Sequence, residues 1–129
     1  MPLPPSPAIS DFQVVCLCAD WCGTCRDYRT VFVSLSSAYP GCRFLWIDIE
    51  EQADLVGDLE IDNFPTLLIC RQQVVLFFGT LLPHPGHLRR LLETLGRQTP
   101  AENRAFVSAS TERQRWQEIP ELLALARAC

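Results

Sequence analysis

The sequence has no long apolar run and no excess of positive charge, and each absence excludes a class of function. None of its apolar stretches approaches the roughly 20 residues of a membrane-spanning helix. The net charge of −4 offers no basic surface for phosphate groups, so we expect neither nucleic acid nor membrane as a partner. Residues 1–10 hold four prolines and no basic residue, which predicts a flexible proline-rich leader and no secretory signal.

Cysteine, in contrast, is abundant: the chain of 129 residues contains seven. In a secreted protein such a count indicates a disulfide framework. The odd number, the missing signal and the apolar fraction of 48% favour a cytoplasmic protein in which most thiols are free. Cys16, Cys18 and Cys70 lie in apolar segments, and we expect them to be small core residues.

The hydrophobic pattern predicts one α/β domain over residues 11–97. Apolar, β-branched runs predict strands over 12–19, 42–49, 66–70 and 74–78. Helical spacing predicts helices over 22–39, 51–60 and 84–96. The order β-α-β-α-β-β-α predicts a mixed central sheet with helices on both faces, and the short link "RQQ" predicts an antiparallel hairpin.

Residues 98–129 predict a helical C-terminal extension. Thr99, Pro100 and Glu102 have the spacing of a helix N-cap, first helical position and capping-box partner. Pro120 is suited to the start of a further helix. The extension contains too many apolar residues for a free tail, so we expect it to pack on the sheet domain or on another chain.

The stretch "ADWCGTCRDY", residues 19–28, puts Cys22 and Cys25 where a strand gives way to a helix. A thiol at a helix start faces the unpaired N–H groups and the positive end of the helix dipole, which favour its thiolate. Cys25 lies one turn further on, so one sulfur can attack a foreign disulfide and the other can resolve the mixed disulfide. Gly23 and Thr24 leave the loop open to a partner.

Two other interpretations of the cysteine pair stay open at this point. The pair can be an inert remnant of the fold, or "CLCADWCGTC" can hold a metal ion, since it offers four cysteines in ten residues. His84 and His87 supply no third ligand and are expected at the surface. We expect no metal and no cofactor, because the dithiol itself carries the electrons.

"ADWCGTCR", followed by "IDNFPTLLI", resembles the thioredoxin family over residues 12–96. The resemblance implies a thioredoxin-like fold with a shortened N-terminus and the helical extension described above. It implies that Cys22 attacks, that Cys25 resolves and that the two form a redox-active disulfide. By the same resemblance Pro65 follows a cis bond and the Phe64 backbone pairs with an extended substrate.

The resemblance also assigns supporting residues. Trp21 is expected to shield the dithiol, Asp48 to steady that tryptophan and Gly79 to line the substrate groove. Three positions depart from the family pattern: Cys16 replaces a buried aspartate, Phe44 replaces the lysine near it, and Thr24 replaces a proline. The family's first strand and helix also lack room before residue 12, and the C-terminal helices are expected to cover the surface left bare.

The sequence therefore predicts a thiol–disulfide oxidoreductase that reduces or exchanges protein disulfides. Thioredoxin reductase or glutathione is the electron donor that the resemblance implies. One alternative is an adaptor of the same fold that binds a partner protein through its helical tail and has weak redox activity. A metal-binding module is a further alternative.

Overall fold

Four strands and six helices make up residues 9–129, the part of the chain that the computed structural model describes. The strands are β1 (Phe12–Cys18), β2 (Arg43–Asp48), β3 (Thr66–Arg71) and β4 (Val74–Thr80). The helices are α1 (Gly23–Ala38), α2 (Ala53–Val56), α3 (Pro85–Gly96), α4 (Pro100–Ser108), α5 (Thr111–Trp116) and α6 (Pro120–Ala128). No helix in residues 9–129 has the length and apolarity that crossing a bilayer requires.

The strands form one mixed sheet in the order β2-β1-β3-β4. β1 runs parallel to β2, because α1 returns the chain to the same end of the sheet before β2 begins. β3 is antiparallel to β1 and to β4. Gln72 and Gln73 form the hairpin turn with φ of 51° and 65°, the left-handed conformation that a tight two-residue turn requires. The predicted mixed sheet and hairpin are confirmed.

Helices cover both faces of the sheet, and β1 is buried on both. The first face carries α1, α3 and part of α4, with core residues that include Tyr28, Phe32 and Leu92. The second face carries α2 and α6, which contribute Val56 and Leu122 to a separate core. Burial on both sides explains why β1, "FQVVCLC", is an almost continuous apolar run.

The second helix is shorter than predicted. The pattern predicts a helix over residues 51–60, but α2 spans only Ala53–Val56. Gly57 follows it with φ of 61°, a left-handed conformation that a residue without a side chain adopts at little cost. The glycine that weakens the predicted helix is therefore the residue that ends it.

The C-terminal extension folds back onto the sheet. The capping box of α4 is present: the Glu102 N–H donates to the Thr99 hydroxyl at 3.1 Å and the Thr99 N–H to the Glu102 carboxylate at 3.0 Å. The helix α5 is absent from the sequence prediction, and its cap is Ser110, which accepts from the Arg113 N–H at 3.3 Å. Leu122 is fully buried in the second face, so the extension packs on its own domain.

The expected leader, residues 1–10, lies mostly outside the described residues, which begin at residue 9. Ile9 itself is 3% exposed and belongs to the first core. A Cβ atom at Gly96 would come within 2.7 Å of the Ile9 side chain, so the end of α3 accepts Ile9 because glycine leaves that space open. Residue 9 is thus part of the packed domain, not of the leader.

Candidate active site

Cys22 lies at the junction of β1 and α1, where the sequence predicts it. It is the N-cap residue of α1, in an extended conformation, and its side chain is half buried. Among residues 9–129, no side chain caps the first turn of α1, and that turn contains no acidic residue. The first N–H groups of a helix have no partner within it and attract negative charge. The Cys22 sulfur therefore lies at a helix start whose first N–H groups have no partner within the helix.

Cys25 is bonded to Cys18 in this structure, and Cys22 is a free thiol. This differs from the expected Cys22–Cys25 disulfide, and Cys18 was expected only as a core residue. The Cα atoms of Cys18 and Cys25 are 5.7 Å apart, a separation that a disulfide spans. Cys18 ends β1 on the face that α1 covers, and Cys25 is buried one turn into α1. The strand end and the helix interior therefore meet inside the core, behind Cys22.

Backbone and guanidinium contacts hold the loop before Cys22. The Cys22 N–H donates to the Ala19 carbonyl at 3.0 Å. The Arg26 guanidinium donates to the Asp20 carbonyl at 3.0 Å. The Ala19 N–H approaches the Cys25 sulfur at 3.4 Å. Gly23 and Thr24 are exposed, but they are the first two residues of α1, so the segment between Cys22 and Cys25 is helical where the sequence predicts an open loop.

Asp48 and Trp21 have different partners from those that the family resemblance implies. The Asp48 carboxylate accepts the backbone N–H groups of Asp20 at 3.0 Å, Glu50 at 2.9 Å and Glu51 at 3.0 Å. These hydrogen bonds, the one from Glu51 foremost, lower the pKa of Asp48. The Trp21 indole N–H donates to Glu50 at 2.9 Å. Asp48 thus accepts a hydrogen bond from the backbone before Trp21, and Glu50 accepts one from the indole ring.

The second wall of the site is the segment around Pro65. The Phe64–Pro65 peptide bond is cis, as the resemblance implies. Trp21, which is 62% exposed, lies edge-on to Phe64 with ring centroids 5.6 Å apart. The Leu81 N–H donates to the Pro65 carbonyl at 3.1 Å. Within residues 9–129, no hydrogen bond uses the N–H or carbonyl of Phe64, so both groups are free to pair with a bound chain.

Gly79 lies on β4 and pairs with Leu67 of β3. Leu67 follows Pro65 by two residues in the chain. A Cβ atom built there would meet the Phe77 ring at 3.6 Å, an ordinary contact. The fold itself therefore does not require a glycine at this position. Whether Gly79 lines a substrate groove stays a prediction.

The core behind the dithiol has lost its charged groups. Cys16 is fully buried, and burial raises the pKa of its thiol above the ordinary range. Phe44 lies among aromatic rings, with its centroid 5.2 Å from Phe32 and 6.5 Å from Tyr39. The hydroxyl of Tyr28 is buried with no hydrogen-bond partner within the described residues. The two positions at which the resemblance implies charged residues are thus occupied by a buried thiol and by an aromatic ring packed among others.

Sequence reasoning missed three contributors to the site: Cys18, Arg26 and Glu50. Cys18 had a usable signal, since residues 16 and 18 of a strand share a face, but the helix that covers that face was not deducible. Glu50 lies just after β2 and has no local signal that connects it with Trp21, 29 residues away in the chain. In residues 9–129 the structure brings no three His, Cys, Asp or Glu side chains together as a metal site. His84 caps α3 by accepting the Gly86 N–H at 3.0 Å.

Comparison with known proteins bears on this arrangement. A family model described as Thioredoxin matches residues 8–77. The putative thioredoxin 2 of Streptomyces coelicolor is 34% identical over 68 residues, which cover 53% of this chain and 51% of that protein. The thioredoxin H-type of Populus jackii is 37% identical over 67 residues, covering 50% and 48%. The chain thus spans about half the length of the curated relatives it matches.

Solved structures agree with the fold. Mitochondrial thioredoxin 3 from Saccharomyces cerevisiae, in its oxidised form, superposes with a TM-score of 0.58 and 26% identity. The match covers 67% of this chain and 80% of that one. Fasciola hepatica thioredoxin is similar in fold alone, with a TM-score of 0.59 at 18% identity over 67% of this chain and 83% of that one.

Proposed function

Because the chain belongs to the thioredoxin family, we propose that it is a thiol–disulfide oxidoreductase acting on protein disulfides. The observation that carries the proposal is Cys22, a half-buried free thiol at an uncapped helix start with a buried cysteine one turn behind it. A sulfur anion at that position is the nucleophile that disulfide exchange requires. The dithiol is the electron carrier, and no cofactor is part of the proposal.

The reaction runs in two exchange steps from the reduced protein. The Cys22 thiolate attacks one sulfur of the substrate disulfide, forms a mixed disulfide and releases the other substrate sulfur as a thiolate. Cys25, as thiolate, then attacks the Cys22 sulfur and releases the second substrate thiol. The substrate gains two electrons, and the protein is left with a Cys22–Cys25 disulfide.

Substrate docking is proposed along the Phe64–Pro65 segment. The unused N–H and carbonyl of Phe64 can pair with an extended substrate chain, in the manner of an added strand. Trp21 and Phe64 offer an apolar wall beside Cys22. Gly79 fits this proposal. The fold itself leaves room for a side chain at this position, but a substrate chain that approaches the backbone closely would need that room.

The electron donor and the location are proposed at the family level. Thioredoxin reductase is the first candidate to return electrons to the dithiol, with glutathione the second. The cytoplasmic location that the composition suggests stays a prediction. Comparing dithiol recovery with purified reductase and NADPH against recovery with reduced glutathione separates the two donors.

The test of the proposed function is reduction of insulin or dithionitrobenzoate by the full chain. Cys22→Ser should reduce the rate to that of the uncatalysed reaction, because the attacking sulfur is gone. Cys25→Ser should accumulate mixed disulfides with the substrate. Cys42→Ser is the matched control, since Cys42 is also a half-buried free thiol but lies beside Ile9. A Cys22→Ser protein as active as the parent would refute the proposal.

The adaptor alternative has no observation in its favour. It requires the apolar side chains of the tail to face a partner protein. Leu122 and Leu125 are fully buried against the chain's own sheet. The tail therefore uses its apolar surface internally.

A further inference from the structure

Three cysteines lie around the junction of β1 and α1, one more than a dithiol exchange needs. We call Cys18, Cys22 and Cys25 the cysteine triad. Cys18 and Cys25 are bonded and are 0% and 1% exposed, whereas Cys22 is half buried and free. The outer thiol, which attacks substrates, is thus unpaired in a protein that already holds one disulfide.

We propose that Cys18 is a second resolving thiol. After substrate reduction it attacks Cys25 in the Cys22–Cys25 disulfide, forms the Cys18–Cys25 disulfide and leaves Cys22 as a free thiol. This inference rests on the proposed function for the first oxidation of the dithiol. It adds a step that Cys22 and Cys25 cannot perform alone.

The step balances within the chain. The Cys18 sulfur, once deprotonated, attacks the Cys25 sulfur of the Cys22–Cys25 disulfide. The Cys18–Cys25 bond forms as the Cys22–Cys25 bond breaks, and Cys22 leaves with the electron pair as a thiolate. The proton that Cys18 loses is matched by the proton that the Cys22 thiolate can accept. No electrons enter or leave, so the two disulfides are isomers at one oxidation level.

The geometry points to Cys25 as the shared sulfur. It follows Cys22 by one helical turn, and its Cα atom is 5.7 Å from that of Cys18. The helix start favours negative charge on the departing Cys22 sulfur. The buried position of Cys18 disfavours its own thiolate and favours a neutral, bonded sulfur. Both environments therefore drive the exchange toward the Cys18–Cys25 disulfide.

Two consequences follow for the oxidised protein. Cys22 stays available at the surface as a nucleophile, whereas in a two-cysteine site it is consumed by the disulfide. The Cys18–Cys25 bond is sealed in the core, so an external thiol cannot reach it directly. Cys22 must first attack Cys25 and restore the Cys22–Cys25 disulfide, which a reductant can then reach.

The experiment maps the disulfide of the oxidised wild-type chain. The protein is oxidised in one portion by insulin and in another by diamide, quenched with acid and alkylated with N-ethylmaleimide under mildly acidic conditions. Cleavage before aspartate separates residues 11–19, with Cys16 and Cys18, from residues 20–26, with Cys22 and Cys25. The proposal expects the two peptides linked through Cys18 and Cys25, with Cys22 alkylated. A disulfide closed within 20–26, with Cys18 free, would overturn it.

Reduction kinetics give a second measurement that does not depend on enzymatic activity. Cys22→Ala should form the Cys18–Cys25 disulfide, and dithiothreitol should reduce it on the order of tenfold more slowly than in the parent, because no internal thiol reopens it. Cys18→Ala should be reduced faster than the parent. Cys70→Ala, which removes a buried free cysteine on the other face, should match the parent. Equal rates in all four proteins would overturn the proposal.

The two portions separate this inference from the proposed function. Failure of insulin to oxidise the chain would refute the oxidoreductase. The diamide-oxidised portion decides the disulfide pairing in either case.

Discussion

The two faces of the central sheet are covered by helices from different parts of the chain and carry different chemistry. The first face has α1 and α3 and contains Cys16, Cys18 and Cys25. The second face has α2 and α6 and contains Cys70, whose pKa burial raises to about 12, with the half-buried Cys129 packed against it. Each face contains a fully buried leucine, Leu88 on the first and Leu125 on the second.

The difference teaches that the cysteines of the candidate site lie on one face, whereas the C-terminal helix α6 covers the other. The face with the candidate site is built mainly from the strands, α1 and α3, and α4 adds Val107. The other face is completed by α6, which lies beyond the region that the family model matches. Between α4 on the first face and α6 on the second, the chain passes Gln117. The Gln117 side-chain amide accepts the Val75 N–H at 2.8 Å and donates to the Val75 carbonyl at 2.7 Å. Changes on the two faces should therefore differ in what they affect.

Deleting residues 99–129 should have the largest effect on stability. It removes Leu122 and Leu125 and exposes the apolar sheet surface beneath them. We expect the free energy of unfolding to fall by more than about 5 kcal/mol, a large part of what a domain of this size has. Urea unfolding followed by circular dichroism measures it. A truncated chain as stable and monodisperse as the parent would show that the second face does not need the tail.

Introducing a carboxylate into each face comes next. Cys16→Asp restores the family's acid behind Cys25, and Cys70→Asp buries one on the other face. With a pKa raised by about 3 units, each should cost about 4 kcal/mol near neutral pH. Only Cys16→Asp should also speed the resolution of mixed disulfides, since its carboxylate can accept the Cys25 proton. Stopped-flow rates that are unchanged by Cys16→Asp across the neutral range would contradict this role.

The pH dependence of these variants has a definite sign. A buried carboxyl has a higher pKa in the folded chain than in the unfolded chain, so between the two values the folded state holds the additional proton. Stability relative to the parent therefore falls as pH rises through that window and returns as pH falls toward about 4. Urea midpoints for parent and variant at a series of pH values measure the difference. A constant difference would mean that water reaches the carboxyl.

A matched pair of leucine truncations tests whether the faces contribute equally to packing. Leu88→Ala and Leu125→Ala each leave a cavity in a fully buried environment, and each should cost about 2–5 kcal/mol. We expect similar unfolding energies but a larger loss of insulin reduction for Leu88→Ala, because α3 packs on the face with the candidate site. Leu55→Ala, at an exposed position, is the control. Loss of activity in Leu125→Ala alone would reverse the comparison.

The smallest effect is expected at the crossing between the faces. Gln117→Ala leaves the N–H and carbonyl of Val75 without their amide partner and should cost about 1–2 kcal/mol. Glu118→Ala changes the exposed neighbouring residue and should change stability by less than about 0.5 kcal/mol. Thermal melts of the two variants provide the comparison. Equal melting temperatures would mean that water replaces the Gln117 amide at no cost.

The sequence predicts the local elements well where the signal is local. Thr99 and Glu102 form the predicted capping box because its hydrogen bonds involve residues three apart. Cys22 lies at the start of α1, as predicted from the change of pattern between neighbouring residues. The helix α5 escaped prediction, since its six residues are too few for a periodic pattern. Glu50 escaped because its contact with Trp21 joins residues 29 apart in the chain.

The sequence alone determined the alternation of strands and helices and the position of Cys22 and Cys25 at a strand–helix junction. The resemblance to a family added the expectation that Pro65 belongs to the same site. Only the tertiary structure decided which sulfur Cys25 bonds, which carboxylate holds Trp21 and which face α6 covers. The reason is physical. Periodicity and capping depend on neighbouring residues, whereas disulfide partners and covered faces depend on which side chains the packed sheet brings within a few ångströms.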